Sequence, residues 1–219
     1  MDSQIEQPEL NGLSGSLRRR FTGPGGLYNI GNAIGLFAGL GFAIYASHPD
    51  GALAINGAAD ATREYLMGSS SAVALTLAML IFFASSEFYY RGVHGRQLVS
   101  AKMIRHGDWT SGVGALVLGY GLLILGEPIL ALASGLLHAI GKFGSAFARH
   151  DDVNNPWPQR WRYTTLSSRV PAVVASGLDF ARDSALVASG GSAVALVPSL
   201  TLIVCYFFWI RADVALLGK

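Results

Sequence analysis

The chain has one cysteine, few charges and no catalytic signature, and each shortage removes a class of function. With Cys205 alone, no intrachain disulfide and no thiolate metal cluster can form. Charged residues make up 14% of the 219 positions against about 25% in soluble domains, while 51% are hydrophobic and 27 are glycine. The net charge of +2 is scattered, and Arg18 to Arg20 is the longest basic run, so nucleic acid is not an expected partner. No Gly-x-Ser-x-Gly, His-Glu-x-x-His or phosphate loop occurs, which leaves no catalytic residue to name and points away from an enzyme.

What the chain does have is long apolar stretches. No charge interrupts Tyr65 to Ser86, and none interrupts Ser184 to Ile210. A helix rising about 1.5 Å per residue needs roughly 20 such residues to cross hydrocarbon, so both stretches read as transmembrane helices. The expected fold is all-α and polytopic, with four spans near 27 to 47, 68 to 90, 109 to 127 and 190 to 210. The lipid bilayer is thus the first partner.

Ser71 to Tyr90 (SAVALTLAMLIFFASSEFYY) recurs in weaker form as Ser192 to Arg211 (SAVALVPSLTLIVCYFFWIR). Gly31, Gly35 and Gly39 stand four apart on the first span, and Ser111, Ala115 and Gly119 repeat that small-residue face on the third. Asp60-x-x-Arg63 before the second span also matches Asp179-x-x-Arg182 before the fourth. Small faces let helix backbones approach closely in lipid, where packing drives association. These matches suggest duplication of a two-helix unit, with copies sharing one orientation, and chance likeness between apolar helices is the alternative. The organisation expected is a basic tail (1–26), a first two-helix unit with its loop (27–107), and a second unit (108–219) containing an insertion near 128–171.

Within the insertion, Ile129, Leu132, Ala133, Leu136, Leu137, Ile140, Phe143, Gly144 and Phe147 recur at helical spacing, with His138, Lys142, Ser145 and Arg149 on the opposite side. An amphipathic helix on the outer side is expected after Pro128. Arg18, Arg19, Arg20, Arg91, Arg96, Lys102, Arg105, Arg211 and Lys219 fall on one side of a four-span arrangement. The positive-inside rule then puts both termini in the cytoplasm, with a bacterial inner membrane the expected location. The Arg-Arg-x-Phe of a twin-arginine signal is present at Arg18 to Phe21, but the apolar part that follows runs too long for cleavage.

Glu127 is the candidate for an ion or proton pathway, because a carboxylate at the end of an apolar span must pair, protonate or face water. Trp157, Arg160, Trp161, Arg162 and Tyr163 are candidates for docking a partner or resting on headgroups. Haem is tested and set aside, because His48 and His138 would lie outside the spans, and no other cofactor or metal is expected. Two functions follow. The first is a non-enzymatic membrane subunit or scaffold of a larger complex, packed against other membrane subunits or itself. The alternative is a small-solute or ion transporter or channel built on the duplicated unit.

Overall fold

The computed structural model describes residues 18, 20–47, 70–94, 100–148 and 157–217, and every regular element among them is helical. In chain order these are α1 (Gly23–Ser47), α2 (Ser70–His94), α3 (Ala101–Ile124), α4 (Pro128–Phe147), α5 (Trp157–Ser167), α6 (Arg169–Ala188) and α7 (Leu196–Leu217). The middle of α4, Leu132–Leu137, is a π segment. Three helices carry stretches long and apolar enough to cross a membrane: Val73–Gly92, Pro128–Phe147 and Leu196–Ala215.

Local chemistry sets the ends. Ser100 caps α3 by accepting a hydrogen bond from the Met103 backbone N–H at 3.4 Å. The link from α3 to α4 needs a left-handed residue, and Gly126 supplies it at φ +86°, after which Pro128 opens α4 where its missing N–H is no loss. Gly190, at φ +100°, plays the corresponding part after α6.

Apart from α5 and α6, which follow one another in the same direction, successive helices run antiparallel, and their contacts fix the order. Ser85 of α2 donates to the Gly107 carbonyl of α3, while Gly121 further along α3 meets Leu75. Gly119 of α3 crosses Gly135 of α4, and a Cβ added at Gly119 would lie 2.8 Å from the Gly135 Cα. Thr165 of α5 lies against Gly141 of α4. Arg169 at the start of α6 pairs with Asp213 near the end of α7, and Asp183 near the end of α6 accepts from Ser199 near the start of α7. The chain closes on itself: Trp209 of α7 donates to Asn32 of α1 at 3.1 Å, and Tyr28 donates to Asp213. The start of α1 and the end of α7 therefore share one end of the bundle, called here the terminal end. The α3–α4 turn and the α6–α7 turn share the distal end.

This arrangement corrects the expected amphipathic helix on the outer side. α4 is not an appendage but a return pass through the bundle, and its polar face points inward. Ser134, His138 and Ser145 are buried, whereas Leu132, Leu136, Ile140 and Phe147 are exposed. A helix in hydrocarbon hides its polar side among protein partners and gives its apolar side to lipid, the reverse of a helix in water. α5 and α6 then lead from the terminal end back to the distal end, so the chain from Pro128 to Ala188 passes through the bundle twice. The third expected span, 109–127, corresponds to α3, which starts earlier, at Ala101; neither it nor α1, where the first span is expected, is among the three helices that are long and apolar enough to cross.

Candidate functional site

The charged residues buried in the terminal half of the bundle come from four helices, α3, α4, α6 and α7, and tyrosines from α1 and α2 join them. On one side Asp108 of α3 lies 3.4 Å from the Lys142 ammonium of α4 and accepts from Tyr89 of α2 and, at 2.7 Å, from Ser145. Lys142 also donates to the Tyr89 hydroxyl at 2.9 Å, and its ammonium sits over that ring. On the other side Arg169 donates from Nε to Asp213 at 3.2 Å and stacks over Trp209, while Tyr28 donates to the second Asp213 oxygen. Asp108 and Arg169 are each 3% exposed, so neither pair is a surface contact. Burying an ion pair forfeits hydration worth several kcal/mol per ion, and only close partners and further hydrogen bonds offset it. Both pairs have them.

Between the two pairs stands His138, 4% exposed, with its ring centroid 6.0 Å from that of Phe82. Neither ring nitrogen has a hydrogen-bond partner among the described residues. One turn toward the distal end, Ser134 and Tyr206 share a hydrogen bond between hydroxyls in the fully buried centre. The inward face of α4 thus reads Ser134, His138, Lys142, Ser145 through most of its length. It begins near Glu127, which precedes the helix.

Glu127 lies at the distal end, 3.7 Å from Arg182, which also contacts Asp179 at 3.3 Å and Asp183 at 3.7 Å. Partial burial, and then a hydrogen bond and charge repulsion from Asp179, push the Glu127 carboxyl above the ordinary carboxylate range, with Arg182 opposing. At the terminal end Glu87 accepts from Arg91 at 2.7 Å, and Arg20 pairs with the same carboxylate.

The other residues singled out in the sequence separate. Gly31 faces the Trp209 indole, and Gly35 faces Cys205 and Met79. Ala115 and Gly119 meet Gly135, and Ser111 is buried on the same helix. Gly39 lies in α1, where its surroundings fall outside the described residues, as do His48, the Asp60–Glu64 loop and the side chain of Trp157. Trp161 is half-buried and turned onto Gly144, so it does not join a docking patch, whereas Arg160, Arg162 and Tyr163 are exposed. His138, expected near the outer interface, instead sits mid-helix.

Sequence reasoning missed Asp108, Lys142, Arg169 and Asp213 as one site. Asp108 and Asp213 count as loop charges when summed along the chain, and their partners lie 34 and 44 residues away. One signal could have found them: His138, Lys142 and Ser145 form a stripe on a segment otherwise apolar enough to span. Among the described residues no group of three or more His, Cys, Asp and Glu side chains could hold a metal ion. No protein-family model matches the chain, and neither curated proteins nor solved structures provide a match, so its function is read from this geometry.

Proposed function

We propose that the protein is a six-pass membrane protein of the transport class, moving an ion or small solute along the buried polar face of α4. The passes are α1, α2, α3, α4, α5 with α6, and α7. The observation that carries the reading is that face, buried at Ser134, His138 and Ser145 and partly buried at Lys142, on a helix apolar enough to span. Ionisable groups at such depth are costly, and they mark pathways by default.

The distribution of charge supports the topology. Among the described residues Arg18, Arg20, Arg91, Lys102, Arg105, Lys142, Arg160, Arg162, Arg169 and Arg211 belong to the terminal half of the bundle, and Arg182 alone to the distal half. The bias exceeds that of a four-span arrangement, because α4 brings the 142–169 region to the terminal end. By the positive-inside rule that end is cytoplasmic, in a bacterial inner membrane. The similar stretches in α2 and α7 both run from the distal to the terminal end, as duplication of an even number of spans requires.

The test is flux in vesicles reconstituted with purified protein, recorded with dyes for protons, potassium and chloride and with labelled small solutes. Transport above that of protein-free vesicles is expected for one of them. None for any would reject the reading.

A second reading, a subunit or scaffold, rests on the exposed Arg160, Arg162 and Tyr163 of α5. It expects a defined oligomer or complex after mild solubilisation, unmade when these three are changed to Ala.

A further inference from the structure

We propose that the species moved is the proton and that His138 is the residue that picks it up and passes it on. This inference rests on the transport reading above and adds the substrate and the acting group.

His138 differs from every other polar residue on the inward face of α4. Ser134 is bonded to Tyr206, Lys142 to Tyr89 and Asp108, and Ser145 to Asp108. His138 has no protein partner among the described residues for either nitrogen, although it is 4% exposed. A neutral imidazole carries one donor and one acceptor, and each left unmade in a buried site costs about 1–3 kcal/mol. An apolar side chain would serve packing against Phe82 without that penalty. The imidazole also occupies the one gap in an otherwise bonded series. One turn toward the distal end lies the Ser134–Tyr206 hydroxyl pair, and one turn toward the terminal end lies the Lys142–Asp108–Tyr89 cluster. Hydroxyl, imidazole and carboxylate groups can each accept and release protons, so the series has the composition of a relay.

The surrounding charges favour a proton over a solute anion. The charges that act directly on His138 are Arg169 and Lys142. Each is already held by a carboxylate, Asp213 and Asp108 respectively. The remaining ionisable groups around this zone are Tyr28 from α1, Tyr89 from α2, Arg162 from α5 and Tyr206 from α7. None of these supplies an unengaged cation inside the bundle to hold an anion. The π segment Leu132–Leu137 ends directly before His138. Such segments interrupt regular helical bonding and recur at functional sites.

The step balances with water as co-reactant. A water-borne proton arriving from the distal side adds to the lone pair of one ring nitrogen, giving imidazolium. The N–H on the other nitrogen then releases its proton to water leading to Asp108. Tautomer exchange returns the ring to its starting form, so one proton enters and one leaves.

The experiment uses full-length protein in vesicles enclosing a pH-sensitive dye, with a proton gradient imposed and potassium clamped. The wild type, His138→Gln and His138→Phe are compared after helical content and monodispersity show that each is folded. Proton flux is expected to fall at least tenfold in both variants. Folded variants that carry protons at the wild-type rate overturn the role of His138. A wild type that moves another solute but no protons overturns the choice of substrate and leaves the transport reading standing, whereas a wild type that moves nothing rejects that reading itself. Should neither variant fold, exchange of the His138 ring N–H with heavy water, followed by 15N NMR of histidine-labelled wild type, decides the matter. Exchange within minutes supports a water-connected relay, and protection for hours overturns it.

Discussion

Changing Gly135 to Ala offers the sharpest test of the helix packing that holds the polar face of α4 in place. An added Cβ would lie 2.6 Å from the Gly119 Cα and 3.3 Å from the Ala115 carbonyl oxygen. Carbon atoms in contact rest about 3.5–4.0 Å apart, so α3 and α4 must separate by roughly 1 Å. Both obstacles are backbone atoms, and no rotamer relieves them. Overpacking of this kind costs about 1–3 kcal/mol, to which the thinning of dispersion contacts along the crossing adds. Gly177 in α6 supplies the control, since a Cβ there meets nothing within 4 Å. Alanine in an open helical position is better than glycine by about 0.5–1 kcal/mol, so the same substitution should stabilise at 177 and destabilise at 135. In detergent melts followed by circular dichroism, at about 2–4 °C per kcal/mol for a chain of this size, the two variants should separate by several degrees on opposite sides of the wild type. Combining Gly119→Ala with Gly135→Ala should cost less than the sum of the two, because the helices need part only once. Gly135→Ala melting at or above Gly177→Ala would refute the close crossing.

Three further outcomes follow from the same geometry. Membrane-impermeant thiol reagents should reach Gln159→Cys and Ser189→Cys from opposite sides of the membrane, both residues being exposed while native Cys205 is buried. Labelling from one side only would restore the four-span arrangement. Asp213→Asn should destabilise by about 3–5 kcal/mol by stranding Arg169 without its counter-charge, and pairing it with Arg169→Gln should recover part of the loss; a single variant that melts like the wild type would show the pair to be solvated. The raised Glu127 carboxyl binds its proton more tightly in the folded state, so its contribution to stability is complete below the ordinary carboxylate range and fades as pH rises through the raised value. Melting temperatures from about pH 4 to 8 should therefore show the advantage of wild type over Glu127→Gln shrinking as pH rises, and a constant difference would remove the assignment.

The membrane character and two of the three helices apolar enough to span, α2 and α7, were legible in the sequence because they depend on sums along the chain. The expected spans 68–90 and 190–210 overlap α2 and α7, with ends displaced by a few residues. The interior was not legible, because it depends on pairs. In the sequence Lys142 and His138 have the look of the wet side of a surface helix, an inference valid where water is the solvent and inverted where lipid is. The break at Ser168 between α5 and α6, and the polar composition of Trp157–Ser167, likewise disguised a return pass. Arg169 is acceptable inside only because Asp213 and the Trp209 face come to it from the last helix. Small-residue faces are visible as patterns on α1 and α3, and the partner of the α3 face, Ala131, Gly135 and Ala139 at the same spacing on α4, is hidden in a segment that otherwise reads as a surface helix.

The union of the first and last helices also bears on biogenesis. Until α7 leaves the ribosome, Asn32 lacks the indole that bonds it, the Gly31 carbonyl lacks the Cys205 thiol, and Tyr28 lacks its carboxylate. A nascent chain must therefore hold α1 half-dressed in lipid, or under the care of an insertase, through the synthesis of α2 to α6. Premature termination before Cys205 would leave all three groups without their partners, and termination between Trp209 and Asp213 would strand Tyr28 alone.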